Sequence, residues 1–145
     1  MSEGRSQSNR SLTGVWQGIY SYPPGTHAPV GFTATLIEAG GLLNGSVHEP
    51  CTMGGSPNET LLFTLSGRRQ GTAVDFVKSY HGPNPYYGTI IYDGTLNDDA
   101  TEIEGRWRIP GDWSGRFLMT RSGDQPQLAA DRTGAKSRLE AIGTR

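Results

Sequence analysis

Two charged residues stand on alternate positions that the rest of their runs fill with bulky apolar side chains. Glu49 follows Leu43, Gly45 and Val47, and Lys78 follows Val74 and Phe76 and precedes Tyr80. Side chains alternate across a strand, so both charges belong to the inward set. An inward charge costs several kcal/mol unless it is paired, so the two meet each other, meet a ligand or reach solvent at a rim. Desolvation lowers the pKa of such an amine and raises that of such a carboxyl, while their mutual attraction opposes both shifts. In a binding site Lys78 suits an anionic or carbonyl group and Glu49 an amine or hydroxyl. In a catalytic site freed by substrate, Glu49 has the chemistry of a general base and Lys78 that of its acid partner. A phenol such as Tyr80, Tyr20 or Tyr92 then stabilises a developing oxyanion.

The aromatic residues gather around these charges. Six Tyr against four Phe is a wet balance, because a dry core prefers Leu, Val and Phe, whereas each phenol hydroxyl needs a partner. Tyr20, Tyr22, Tyr80, Tyr86, Tyr87, Tyr92, Trp107 and Trp113 fall by the same alternation in one half of the molecule. His27, His48, His81 and Cys51 sit in or beside the loops of that half. Imidazole and thiolate are zinc ligands, but His48-x-x-Cys51 is the one loose spacing among them, and a loop-stabilising role is expected rather than a metal or a cysteine nucleophile. The stretch Gly111-Asp112-Trp113-Ser114-Gly115 lacks the spacing of a nucleophile elbow, and no P-loop, dinucleotide fingerprint or paired-cysteine motif occurs. No cofactor is expected.

The elements that must position these groups read as strands. In 145 residues there are 21 Gly and 9 Pro, concentrated at turns, which argues against long helices and for one domain. Eight runs rich in Val, Ile, Thr and aromatics, each closed by Gly, Pro, Asn or Asp, cover 12–22, 30–38, 42–49, 61–67, 72–80, 87–96, 102–109 and 113–121. Their connections alternate. Ala39-Gly40-Gly41, Arg68-Arg69-Gln70-Gly71 and Asn97-Asp98-Asp99-Ala100-Thr101 are tight polar turns, whereas 23–29, 50–60 and 81–86 are longer Pro-containing loops, joined at their end by Ile109-Pro110-Gly111-Asp112. In an up-and-down meander alternate connections lie at opposite ends, and an eight-stranded sheet escapes exposed edges by closing. The expected fold is therefore all-β: an eight-stranded up-and-down antiparallel β-barrel over residues 12–121 with an elaborated mouth. Residues 1–11 and 122–145 are expected to be flexible tails, with a weak helix over 127–142.

The inward set includes Trp16, Tyr20, Tyr22, Phe32, Leu36, Leu43, Val47, Phe76, Tyr92, Ile103, Trp107 and Phe117, with glycines at 18, 45, 94, 105 and 115 making room for facing aromatics. The fourth run leaves Phe63/Leu65 and Leu62/Thr64 as alternatives. Glu38 shares the inward parity at the tight-turn end, where solvent is expected to claim it, and Arg68-Arg69 is expected in a solvated turn. Glu102, Glu104, Arg106 and Arg108 alternate on an outer face.

Gly14-Val15-Trp16 opening the first run and Arg121 closing the last resemble the calycin signature shared by lipocalins, fatty-acid-binding proteins and avidins. Leu43-Asn44-Gly45-Ser46 and Leu65-Ser66-Gly67-Arg68 are similar to the corresponding avidin strands. The resemblance implies a barrel closed at one end by Trp16 beneath Arg121 and a ligand cavity at the other. The avidin biotin pattern is not met, since Val47 stands where that family has a ligand-binding Tyr. The nitrobindin-like haem barrels share the architecture, with no histidine here assignable as the proximal ligand.

The expected function is binding of a small, partly aromatic or polar organic molecule in the mouth, lined by Tyr20, Tyr22, Glu49, Lys78, Tyr80, Tyr92, Trp107 and Trp113. The alternative is a cofactor-independent isomerase, cyclase or hydrolase using Glu49, Lys78 and Tyr80. A net charge of −1 lacks the footprint of a nucleic-acid binder, and no polybasic run suggests a membrane surface. The polar first residues are unlike a signal peptide, and the lone Cys51 fits a reducing cytoplasm. Outward Val15, Ile19, Val77 and Ile91 leave room for a homodimer through an apolar patch.

Overall fold

The computed structural model describes residues 10–122, and the helix expected over 127–142 lies outside that range. Eight strands follow in chain order: β1 (Gly14–Ser21), β2 (Val30–Ala39), β3 (Leu42–Pro50), β4 (Thr60–Gln70), β5 (Ala73–Tyr80), β6 (Thr89–Leu96), β7 (Glu102–Arg108) and β8 (Ser114–Arg121). Each pairs antiparallel with the next, and β8 returns to β1, so the sheet is a closed barrel without edges. An eight-stranded antiparallel barrel of this kind is consistent with a calycin-like fold.

Alternation decides the interior. Along β4, Leu61, Phe63 and Leu65 are buried while Leu62 and Thr64 are exposed, which resolves the register that the sequence left open. The inward glycines admit aromatic rings: a Cβ on Gly18 would run into the Phe32 ring, and one on Gly115 into Trp107. Gly40 and Gly41 have φ of +60° and +83°, the left-handed pair that lets β2 turn into β3 in two residues. All the short turns lie at one end and the long loops at the other.

The closed end is sealed by polar groups as well as by Trp16. That ring is fully buried, its Nε1–H donates to the Leu12 carbonyl at 3.0 Å, and the Arg121 guanidinium lies 4.6 Å from its centre. Arg121 also donates to the carbonyls of Ala100, Thr13 and Ser11. Glu38 is not claimed by solvent. It accepts from the Leu12 N–H at 2.8 Å and pairs with Arg69 at 3.2 Å. Nor is Arg69 in a solvated turn, because β4 runs on to Gln70. Arg69 therefore continues the inward parity of Phe63, Leu65 and Gly67, and its guanidinium donates to the Arg10 carbonyl as well. A compact connection at Gly71, where φ is +63°, allows that extension.

Trp16→Phe keeps an aromatic plug but loses the indole donor and part of its volume. The expected cost is about 1 to 2 kcal/mol in urea unfolding, and an unchanged midpoint would show that the closed end is not anchored there.

Candidate functional site

The two inward charges meet each other. Glu49 and Lys78 are 2% and 1% exposed, and the Lys78 ammonium donates to Glu49 Oε1. Glu49 Oε2 accepts from the Tyr20 hydroxyl at 2.7 Å, so each carboxylate oxygen holds one donor. β1, β3 and β5 supply one member each, and the barrel's closure brings these separate strands around a common interior. The ammonium is wrapped by ring faces, with Phe63 at 4.2 Å and Tyr20 at 4.8 Å from its nitrogen to the ring centres, a cation–π setting that replaces lost water. Burial pushes the Lys78 amine down from its ordinary value, and the Glu49 carboxylate opposes that shift. Burial, then the Glu49 charge, pushes the Tyr20 phenol far up, and the same two causes raise Tyr92. Tyr22 is raised chiefly by burial, with the neighbouring Tyr20 phenol opposing.

Above this triad the mouth opens into a cavity of about 430 Å³. Tyr20, Tyr22, Tyr92, Trp107 and Trp113 line it, as the alternation implied. Two aromatic groups frame it. Tyr22 packs against Trp107 and Trp113 at 5.5 and 5.0 Å between ring centres, and the Trp107 Nε1–H is fixed on the Ser21 carbonyl at 2.9 Å. Across the barrel Tyr87 joins Phe63 and Tyr80. The Tyr87 hydroxyl accepts from the backbone N–H groups of Thr52 and Met53, which ties the loop after β3 to the loop after β5.

Glu49, Lys78 and Tyr80 do not line this cavity. Glu49 and Lys78 lie behind Tyr20, and Tyr80 stands in the wall with its hydroxyl accepting from the Asn84 N–H. Glu49 instead borders a shallow groove outside β1–β3, where the β2–β3 pairing ends at Thr33 and His48 while β3 continues to Pro50. The lining gains Met53, Ile90, Ile109 and Asp112, which the sequence reading did not single out for the site. Ile90 and Ile109 share the inward parity of Tyr92 and Trp107, but loop residues such as Met53 and Asp112 carry no period that announces where they turn.

The histidines are scattered. His27 packs on Tyr22, His81 Nε2 meets the Thr64 hydroxyl and His48 is exposed. Cys51 is buried, with its thiol donating to the Met53 carbonyl at 3.4 Å. Among the described residues no three His, Cys, Asp or Glu side chains converge on a metal-sized point. On the outer surface Val15 and Ile19 belong to β1, and Val77 and Ile91 pair across β5 and β6 on the opposite side of the barrel, so the four do not make one patch. A scan against protein-family models and a search of the curated proteins each find no match for this chain.

Proposed function

We propose that the protein binds a small, partly aromatic organic molecule in the barrel mouth. The observation that carries this reading is a cavity of about 430 Å³, walled by aromatic rings and floored by phenols, at the one end where long loops leave the barrel open. Trp16 beneath Arg121 supports calycin-like membership, and a ligand in the open end is the use to which such barrels are put. Lys78 contributes by holding Glu49 rather than by meeting the ligand, and the walls are Tyr20, Tyr22, Tyr92, Trp107 and Trp113.

Titration of small aromatic compounds is expected to quench or shift the emission of Trp107 and Trp113. Ile90→Trp, which fills the cavity, should weaken every hit by about tenfold or more, the cost of a steric block of over 1.4 kcal/mol. Equal binding by both proteins, or none by either, overturns the reading.

A catalytic reading has one observation in its favour: the Tyr20 hydroxyl links Glu49 to the cavity, a route for a proton between a buried carboxylate and a bound molecule. A turnover lost by about two to four orders of magnitude in Glu49→Gln, with the ligand still bound, would favour it over simple binding.

A further inference from the structure

We infer that the mouth is built for a neutral hydroxylated aromatic molecule, a phenol in chemical class, held by Tyr92 and by the lone pairs of Tyr20; this rests on the binding reading above. Three observations on the same floor carry it.

The first is the polarity of Tyr20. Its proton is committed to Glu49 Oε2, and Glu49 is held ionic by Lys78 on its other oxygen. Toward the cavity Tyr20 therefore offers only acceptor lone pairs. A ligand group that touches the Tyr20 hydroxyl must therefore donate.

The second is Tyr92. It is 1% exposed, stacked on Phe76 at 4.8 Å and set edge-on to Phe117, and it lines the cavity. Its hydroxyl has no hydrogen-bond partner among the described residues, and because no side-chain oxygen sealed from solvent lacks a partner among them, it is reached from the cavity. Tyr92 thus keeps a proton to give. A group that donates to Tyr20 and accepts from Tyr92 is a hydroxyl, and the aromatic lining, Trp107 and Tyr87 included, favours one carried on a flat ring.

The third is charge. Lys78 and Glu49 cancel, and among the described residues no Lys or Arg lines the cavity, the charged residue that does being Asp112 at its rim. A carboxylate or phosphate would lose its water for no cation, so anionic ligands are rejected.

Three naphthalenes of one shape test this at pH 7 by calorimetry. 2-Naphthol donates and accepts, 2-methoxynaphthalene accepts only, and 2-naphthoate is an anion. 2-Naphthol is expected to bind about tenfold or more tighter than either of the others. Tyr92→Phe should weaken 2-naphthol about 2- to 10-fold, leave 2-methoxynaphthalene less affected than 2-naphthol and not lower the melting temperature, because the hydroxyl it removes has no partner among the described residues to lose. If 2-methoxynaphthalene matches 2-naphthol, or 2-naphthoate exceeds it, the phenol assignment fails while mouth binding stands. If none of the three binds and none perturbs the tryptophan emission, mouth binding of aromatics fails with it.

Discussion

Lys78→Met is expected to destabilise the protein by about 3 to 5 kcal/mol, and Glu49→Leu added to it to recover much of that loss. Removing the ammonium leaves a carboxylate that is 2% exposed with, among the described residues, only the Tyr20 hydroxyl donating to it. The mutual attraction of the pair barely exceeds what each charge gave up on leaving water, so losing both costs far less than losing one. The double variant still strands the Tyr20 hydroxyl, worth about 1 to 3 kcal/mol when unpaired, and adding Tyr20→Phe should return part of this too. Urea unfolding of the wild type, the two singles, the double and the triple gives the coupling directly. A Lys78→Met protein within about 1 kcal/mol of wild type would show that the ammonium is not a desolvated partner of Glu49, and the account of Tyr20 as a pure acceptor would go with it.

Stability is expected to fall steeply once the pH passes about 10, the ordinary phenol value. Tyr20 and Tyr92 are raised above that value by burial and by the Glu49 charge. Their folded forms keep protons that the unfolded chain releases, so the folded state binds more protons and the slope of stability with pH is negative. Each contributes a loss approaching about 1.4 kcal/mol per pH unit above 10, and the more exposed Tyr22 adds less. Lys78 acts in the opposite direction. Its folded value is lowered, so its contribution rises with pH until the unfolded amine also loses its proton near 10.4. The stability profile therefore climbs toward pH 10 and then drops. Denaturant midpoints taken between pH 8 and 11.5 measure it, and absorbance near 295 nm should show these phenols ionising together with unfolding. Tyr92→Phe removes one ionisation and should flatten the alkaline slope by about 1.4 kcal/mol per pH unit; a slope that does not change would mean that Tyr92 ionises in the folded protein.

What the chain determined alone was everything that depends on period and length. Strand alternation put Trp16, Val47, Phe76, Tyr92 and Trp107 inside, and it marked Glu49 and Lys78 as inward charges before any contact was known, because a side-chain period of two leaves few choices in a half-buried strand. The rhythm of short and long connections located the mouth, since a meander has no other way to place them. Tertiary structure decided who meets whom. Glu49 and Lys78 are 29 positions apart and Tyr20 is 29 from Glu49, and only the closed sheet converts those separations into two hydrogen bonds. The same closure sent Arg69 to Glu38, which local pattern had assigned to solvent, because the length of one turn shifts where a strand ends and which face its last residues take. It also drew Met53 and Asp112 to the rim and left the Tyr92 hydroxyl facing open space. Loop paths and the last hydrogen bond of a buried phenol follow from three-dimensional packing against distant residues, and no local period encodes them.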